Sequence, residues 1–247
     1  IAGTALWGWR RVARRLETAT PIQRLAKNVS VPMGIQLLNR LLDFAFAIFM
    51  LRLLGPVNAG KYAFVVVLIG YFIVLTDFGL STLTTREVAR SKDQANRYLS
   101  NSALLRLSLT GLSVPLFAAI LVFYSWRSEL SADTAWTGFL LLASIVPSGL
   151  ASALSSIFMA NERMEYTAAV SLVGNLLKLA LGVLVLMLGF GIIGLGIVSV
   201  VVSGSTAALL YYLFRRNFFK PLLEVDFQFQ KQMLMTSYPL MANNFLS

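Results

Sequence analysis

Apolar runs of about 20 residues recur along this sequence at intervals of about 30, each long enough to cross ~30 Å of hydrocarbon at 1.5 Å per residue. The runs are continuous and do not alternate over ten residues, which excludes β-barrel strands. In lipid only helices or closed barrels satisfy their own backbone, so the fold class is all-α, a polytopic transmembrane helix bundle. With 57% hydrophobic and 13% charged residues, the chain carries more apolar surface than a soluble core of its length can bury. The runs predict spans at 31–54, 62–83, 104–125, 135–159, 168–188 and 192–214, with a seventh starting near 233.

Four regions follow. Residues 1–30 form a basic segment in which Arg10, Arg11, Arg14, Arg15 and Arg24 accompany Trp7 and Trp9, too charged to span. It reads either as an interfacial helix or as a disordered tail. Residues 31–214 form a six-helix lobe, 215–232 a cytoplasmic linker, and 233–247 the truncated start of a seventh helix. Because the first residue is Ile1 and the last apolar stretch stops partway, the sequence is expected to be an excerpt of a longer chain.

The net charge of +10 sits mainly between the apolar runs, so it reads as a topology signal and not as a nucleic-acid surface. With the N-terminus cytoplasmic, the inner side holds sixteen Lys and Arg, among them Arg86, Arg90, Lys92, Arg97 and Arg106, against Arg52, Lys61 and Arg127 outside. The positive-inside rule then fixes the N-terminus inside and runs the odd spans outward. The longest inner loops, 84–103 and 215–232, each have room for a short amphipathic helix. Cysteine and histidine are both absent, which excludes disulfides, thiolate chemistry and imidazole metal sites, and no cofactor is expected. Pro115, Pro147 and Pro239 fall within spans and predict kinks or hinges. Small residues on the fourth span (Ser148, Gly149, Ser152, Ser155) and on the sixth (Gly191, Gly194, Gly196, Ser203, Gly204) predict close helix packing.

Polar groups at membrane depth carry most of the functional information, because a charge there persists mainly in a bundle interior or an aqueous cavity. Gln36, Asn39, Arg40 and Asp43 share one broad face of the first span by their spacings of three and four. Arg40 and Asp43 can neutralise each other as a structural pair. Alternatively, Arg40 offers a planar donor fork to a phosphate in a water-filled cavity, with Asp43 tuning its availability. Asn175 and Lys178 share a face of the fifth span, which contains no acid to pair with the lysine. That makes Lys178 either a second cavity cation or a side chain snorkelling to the inner surface. Asp77 and Gly79 close the second span, and Arg86, Glu87 and Arg90 follow with the spacing of a helix turn at the cytoplasmic surface.

Leu54-Gly55-Pro56, Gly60-Lys61-Tyr62, Asp77-Phe78-Gly79-Leu80 and Thr85-Arg86-Glu87-Val88-Ala89-Arg90, in this order and spacing from about residue 28 on, resemble the N-terminal half of the polysaccharide-synthesis flippases. These belong to the multidrug/oligosaccharidyl-lipid/polysaccharide exporter superfamily. The resemblance implies one lobe of a two-lobe transporter of twelve to fourteen helices in the inner (plasma) membrane. Its implied substrate is an undecaprenyl-pyrophosphate-linked oligosaccharide, such as an O-antigen or capsule unit, carried from the cytoplasmic to the outer leaflet. Membrane lipids and polysaccharide polymerase machinery are the other partners it implies, and it places Arg40 in a cationic cavity lining. A multidrug or cation antiporter of the same superfamily is the competing expectation, and cationic cavity residues argue against a cationic drug. A membrane glycosyltransferase or polymerase needs acid pairs or a catalytic loop, and the only closely spaced loop acids are Glu162 with Glu165 and Glu224 with Asp226.

Overall fold

The computed structural model of the protein describes residues 21–126 and 131–246. The basic segment up to residue 20, with Arg10, Arg11, Arg14 and Arg15, and also Arg127, lie outside the described residues. Helix α1 spans Pro21–Asp77 and is divided at Gly55, whose φ of 72° and ψ of 168° leave the helical region. Only glycine reaches that backbone conformation cheaply, and Pro56 then supplies the preset φ that opens the next helix. The predicted loop between the first two spans is therefore a single residue, and the second limb starts at 56 instead of 62. Its 22 residues, about 33 Å at 1.5 Å per residue, match a bilayer.

The second limb ends at Asp77 because Phe78 (φ 47°) and Gly79 (φ 74°) turn left-handed. Helix α2 (Leu80–Arg90) follows, with Leu80, Leu83 and Val88 buried and Arg86, Ala89 and Arg90 exposed. That is the amphipathic helix for which the loop 84–103 was expected to have room, and it begins four residues earlier. A short 3-10 turn over Lys92–Gln94 leads into α3 (Ala95–Trp126), so the rest of the predicted loop is helix as well. Helices α4 (Ala132–Ala160), α5 (Met164–Met187) and α6 (Gly191–Asn217) complete the lobe, and α7 (Phe227–Leu246) follows an extended connector. Helices α3, α4 and α7 run through Pro115, Pro147 and Pro239 without interruption.

Among the described residues five helices are long and apolar enough to cross a membrane, and the division of α1 makes them six crossings. Contacts between named residues give their directions. Asn39 meets Ser171 and Asp43 meets Lys178, so the first limb runs parallel to α5. Arg106 meets Asp77 and Phe117 meets Phe72, so α3 runs antiparallel to the second limb. Gly196 meets Leu140 and Phe214 meets Phe158, so α6 and α4 are parallel. Odd and even crossings thus alternate, as a membrane bundle with short loops requires.

The fourth helix is the centre of the lobe and packs against α1, α2, α3 and α6. One apolar cluster (Val65, Phe72, Phe117, Leu141, Leu142) fills one end, and another (Leu154, Ile157, Phe158, Phe214) fills the end where Arg215 and Arg216 close α6. Small residues admit the close approaches: the Phe117 ring lies on Gly138, Phe46 on Gly182 and Leu140 on Gly196. Gly204, by contrast, has no neighbour within 4 Å of where a Cβ would stand. With this alternation, the positive-inside expectation predicts that single cysteines at Lys92 and Lys220 are cytoplasmic and one at Ser131 external. In sealed cells an impermeant maleimide should label position 131 only, and labelling at 92 would reverse the orientation.

Candidate functional site

Two polar clusters lie within the apolar part of the lobe. The first joins the first limb of α1 to α5. Asn39 donates to Ser171 Oγ at 3.2 Å and accepts from the Asn175 amide, through its backbone carbonyl at 3.1 Å and its Oδ1 at 3.3 Å. One turn further on, Lys178 Nζ donates to Asp43 Oδ1 at 3.0 Å and lies 5.7 Å from the centre of the Phe46 ring. Four expected site residues, Asn39, Asp43, Asn175 and Lys178, therefore form one ladder between two parallel helices. The acid for Lys178 comes from the neighbouring helix, a pairing that a search within the fifth span cannot find.

Arg40 is not part of the ladder. Asp43 turns to α5, and Arg40 is exposed, with no partner among the described residues; Gln36 is exposed beside it. Arg40 and Lys178 consequently do not present two free cations, because Asp43 compensates the lysine. Large apolar side chains of the same limb, Leu37, Leu41, Phe44 and Ile48, are also exposed. The limb packs mainly on α5 and leaves the rest of its circumference open.

The second cluster lies at the end of the second limb. Arg106 is 4% exposed and its Nη2 contacts Asp77 Oδ1 at 2.8 Å and Ser81 Oγ at 2.9 Å. Its Nη1 donates to the Gly149 carbonyl at 3.1 Å. Ser81 also donates to Asp77 Oδ1 at 2.6 Å and shares a hydrogen bond with Ser152 at 2.9 Å. One guanidinium fork thus ties together the second limb, α2, α3 and α4. By the count of basic residues Arg106 belongs to the inner side, but α3 starts at Ala95 and carries it about 17 Å along the helix. The signal available beforehand was Asp77, an acid in an apolar run that needs a partner of opposite charge.

Among the motif residues, Gly79 is the left-handed residue preceding α2, and Glu87 sits between Arg86 (2.9 Å) and Arg90 (3.6 Å) on the exposed face of α2. These two ion pairs are partly exposed and join residues of one helix, so they add little to its stability. Gly79 is the consequential one, because the backbone of α7 passes directly over it.

The family model described as polysaccharide biosynthesis protein matches residues 25–247. Two solved structures have similar folds. One, an outward-facing multidrug resistance MATE family transporter of the MOP superfamily, superposes with a TM-score of 0.68 at 19% identity, over 89% of this chain and 52% of that one. The other, a MOP superfamily transporter from Pyrococcus furiosus whose binding pocket is described as having reversed polarity, gives 0.66 at 20% identity, over 89% and 51%. The sequence spans about half the length of each. No curated protein matches it.

Proposed function

The chain belongs to the polysaccharide biosynthesis protein family, and on that premise we propose that it forms one lobe of a flippase for a polyprenyl-pyrophosphate-linked oligosaccharide, working by alternating access in the inner membrane. The observation that carries this reading is the uncompensated Arg40. It is exposed on a membrane-crossing limb, has no partner among the described residues, and stands one turn from an acid already neutralised by Lys178. An arginine kept charged at membrane depth favours an anion, and its planar fork suits the paired oxygens of a pyrophosphate. Asp43 is occupied by Lys178, so it offers no free carboxylate to a cationic drug, which speaks against the antiporter reading. In this mechanism the chemistry is binding and release only. The ladder of Asn39, Asn175, Asp43 and Lys178 fixes the first limb on α5 so that Arg40 points from a rigid element.

The test is the accumulation of lipid-linked oligosaccharide on the cytoplasmic leaflet of cells expressing the full-length protein. Arg40→Ala should abolish export at normal protein level, and Arg40→Lys, which keeps the charge but loses the fork, should recover only part of it. Lys178→Gln should weaken export by leaving Asp43 unpaired, and the double change Lys178→Gln with Asp43→Asn should restore it, because the pair positions the limb and does not itself bind. Normal export by Arg40→Ala would end the cationic-cavity reading.

A further inference from the structure

We infer that α2 and the first turns of α3 form a docking surface for the connector after α6 and for α7, and that their contact is the cytoplasmic gate of the transport cycle. The inference rests on the alternating-access reading above. The helices of the lobe are joined by apolar packing, and the start of the connector follows suit, with Phe218 on Phe158 and Phe219 on Phe214, whereas from Leu222 to Asp226 it is held by polar side chains of one short stretch of α3.

Asn96 engages both sides of the peptide backbone at Leu222: its Oδ1 accepts from the Leu222 amide at 2.9 Å, and its Nδ2 donates to the Leu222 carbonyl at 3.0 Å. The same Nδ2 reaches Glu224 Oε1 at 2.6 Å, and Ser100 Oγ donates to the Leu222 carbonyl at 2.6 Å. Asn101, fully buried, accepts at Oδ1 from the Asp226 amide at 3.0 Å and from Gln230 Nε2 at 3.1 Å, while its Nδ2 donates to the Arg97 carbonyl at 2.9 Å. Arg97 pairs with Asp226 at 2.7 Å and covers the Phe229 ring at 4.2 Å. Asp226 in turn accepts the Phe229 amide at 3.0 Å, capping the start of α7. That amide and the Arg97 guanidinium hold the Asp226 carboxyl below its ordinary range. Four residues of α3 therefore read the backbone of the connector and the first turn of the next helix.

Beyond this latch, α7 lies on α2, where Phe229 and Met233 meet Leu80 and Leu83. The backbone of α7 at Ser237 and Met241 crosses Gly79 so closely that a Cβ there would stand 3.0 to 3.1 Å from it. The apolar packing of the joint is nevertheless incomplete. A cavity of about 200 Å³ bordered by Glu87, Tyr98, Gln232 and Thr236 remains within it, and the buried Ser237 hydroxyl has no partner among the described residues. Hydrogen bonds at a cytoplasmic rim can be exchanged for water at small net cost, so a contact made this way holds one state without locking it. The geometry is thus that of a closed cytoplasmic mouth whose opening separates α7 and the connector from α2 and α3.

The experiment uses the full-length protein, freed of any cysteine, in inverted membrane vesicles. Cysteines in place of Asn96 and Glu224 are bridged by a short methanethiosulfonate linker that reductant cleaves. Bridging should stop transport of lipid-linked oligosaccharide, and cleavage should restore it. In a second arm, Ser237→Cys reports opening by its reaction with a water-soluble maleimide. Asn101→Leu should speed that reaction roughly tenfold, as loss of the two Asn101 bonds that cross the joint, to Asp226 and Gln230, shifts the closed state. The paired change Asn96→Ala with Ser100→Ala, which leaves the buried position intact, should act in the same direction. Undiminished transport by the bridged protein, or an unchanged reaction rate in both latch variants, overturns the gate. If the rates respond while the wild-type protein flips no lipid-linked oligosaccharide, the gate stands and the substrate reading falls.

Discussion

Replacing Gly79 by valine should abolish transport while the protein still inserts, and Gly79→Ala should lose most of it. Two penalties coincide at this residue. Its φ of 74° is left-handed, which costs a residue with a Cβ about 1–2 kcal/mol, more for a β-branched one. In addition, the new Cβ would stand 3.0 Å from the Met241 amide nitrogen, 3.1 Å from the Ser237 carbonyl and 3.0 Å from Leu240 Cβ. Two of these three are backbone atoms of α7, which cannot swing aside as a side chain can, so α7 must lift from α2. The measurement is transport together with the maleimide reaction of Ser237→Cys, which should accelerate as the joint opens. Gly204→Ala is the matched control: it also adds a methyl group, but nothing lies within 4 Å of its position, and it should be neutral. Wild-type transport by Gly79→Ala would show that α7 does not need this approach.

Replacing Arg106 by leucine should destabilise the lobe by about 3–5 kcal/mol, the usual cost of removing one partner of a buried ion pair. The loss is large because the single fork serves three acceptors on three elements: Asp77, Ser81 and the Gly149 carbonyl. Without it Asp77 keeps, among the described residues, the Ser81 hydroxyl alone at the end of a membrane-crossing limb. Thermal unfolding in detergent should show a fall of roughly 10 °C for Arg106→Leu, by the scaling for chains of this size. Arg106→Lys should fall by less, since one ammonium can reach Asp77 but not bridge to Gly149 as well. The double change Asp77→Asn with Arg106→Leu should regain part of the loss, because no uncompensated charge remains. An unfolding temperature equal to that of the wild type in Arg106→Leu would mean that the pair carries no stability.

The class of fold and the six crossings were legible from apolar length alone, since hydrocarbon thickness is a fixed ruler and every span must match it. The ends of the crossings were less so. The loops expected at 55–61 and 84–103 are helical for most of their length, because a polar or basic residue at a membrane surface interrupts hydropathy without interrupting the helix. Gly55-Pro56 and Phe78-Gly79 mark the true breaks through backbone conformation, a signal that an average over hydrophobicity discards.

The sequence by itself determined which polar residues sit at membrane depth, since Asn39, Arg40, Asp43, Asp77, Asn175 and Lys178 all interrupt apolar runs. Only the tertiary structure decided who meets whom. Helical spacing allowed Asp43 to pair with Arg40 three residues away, yet it pairs with Lys178, and Arg106 pairs with Asp77 across a change of element. The physical reason is range. Hydropathy and periodicity are properties of one helix and its solvent, whereas a buried charge takes the partner that neighbouring helices bring within hydrogen-bonding reach, at separations of 135 residues for Lys178 and Asp43 that no local pattern encodes.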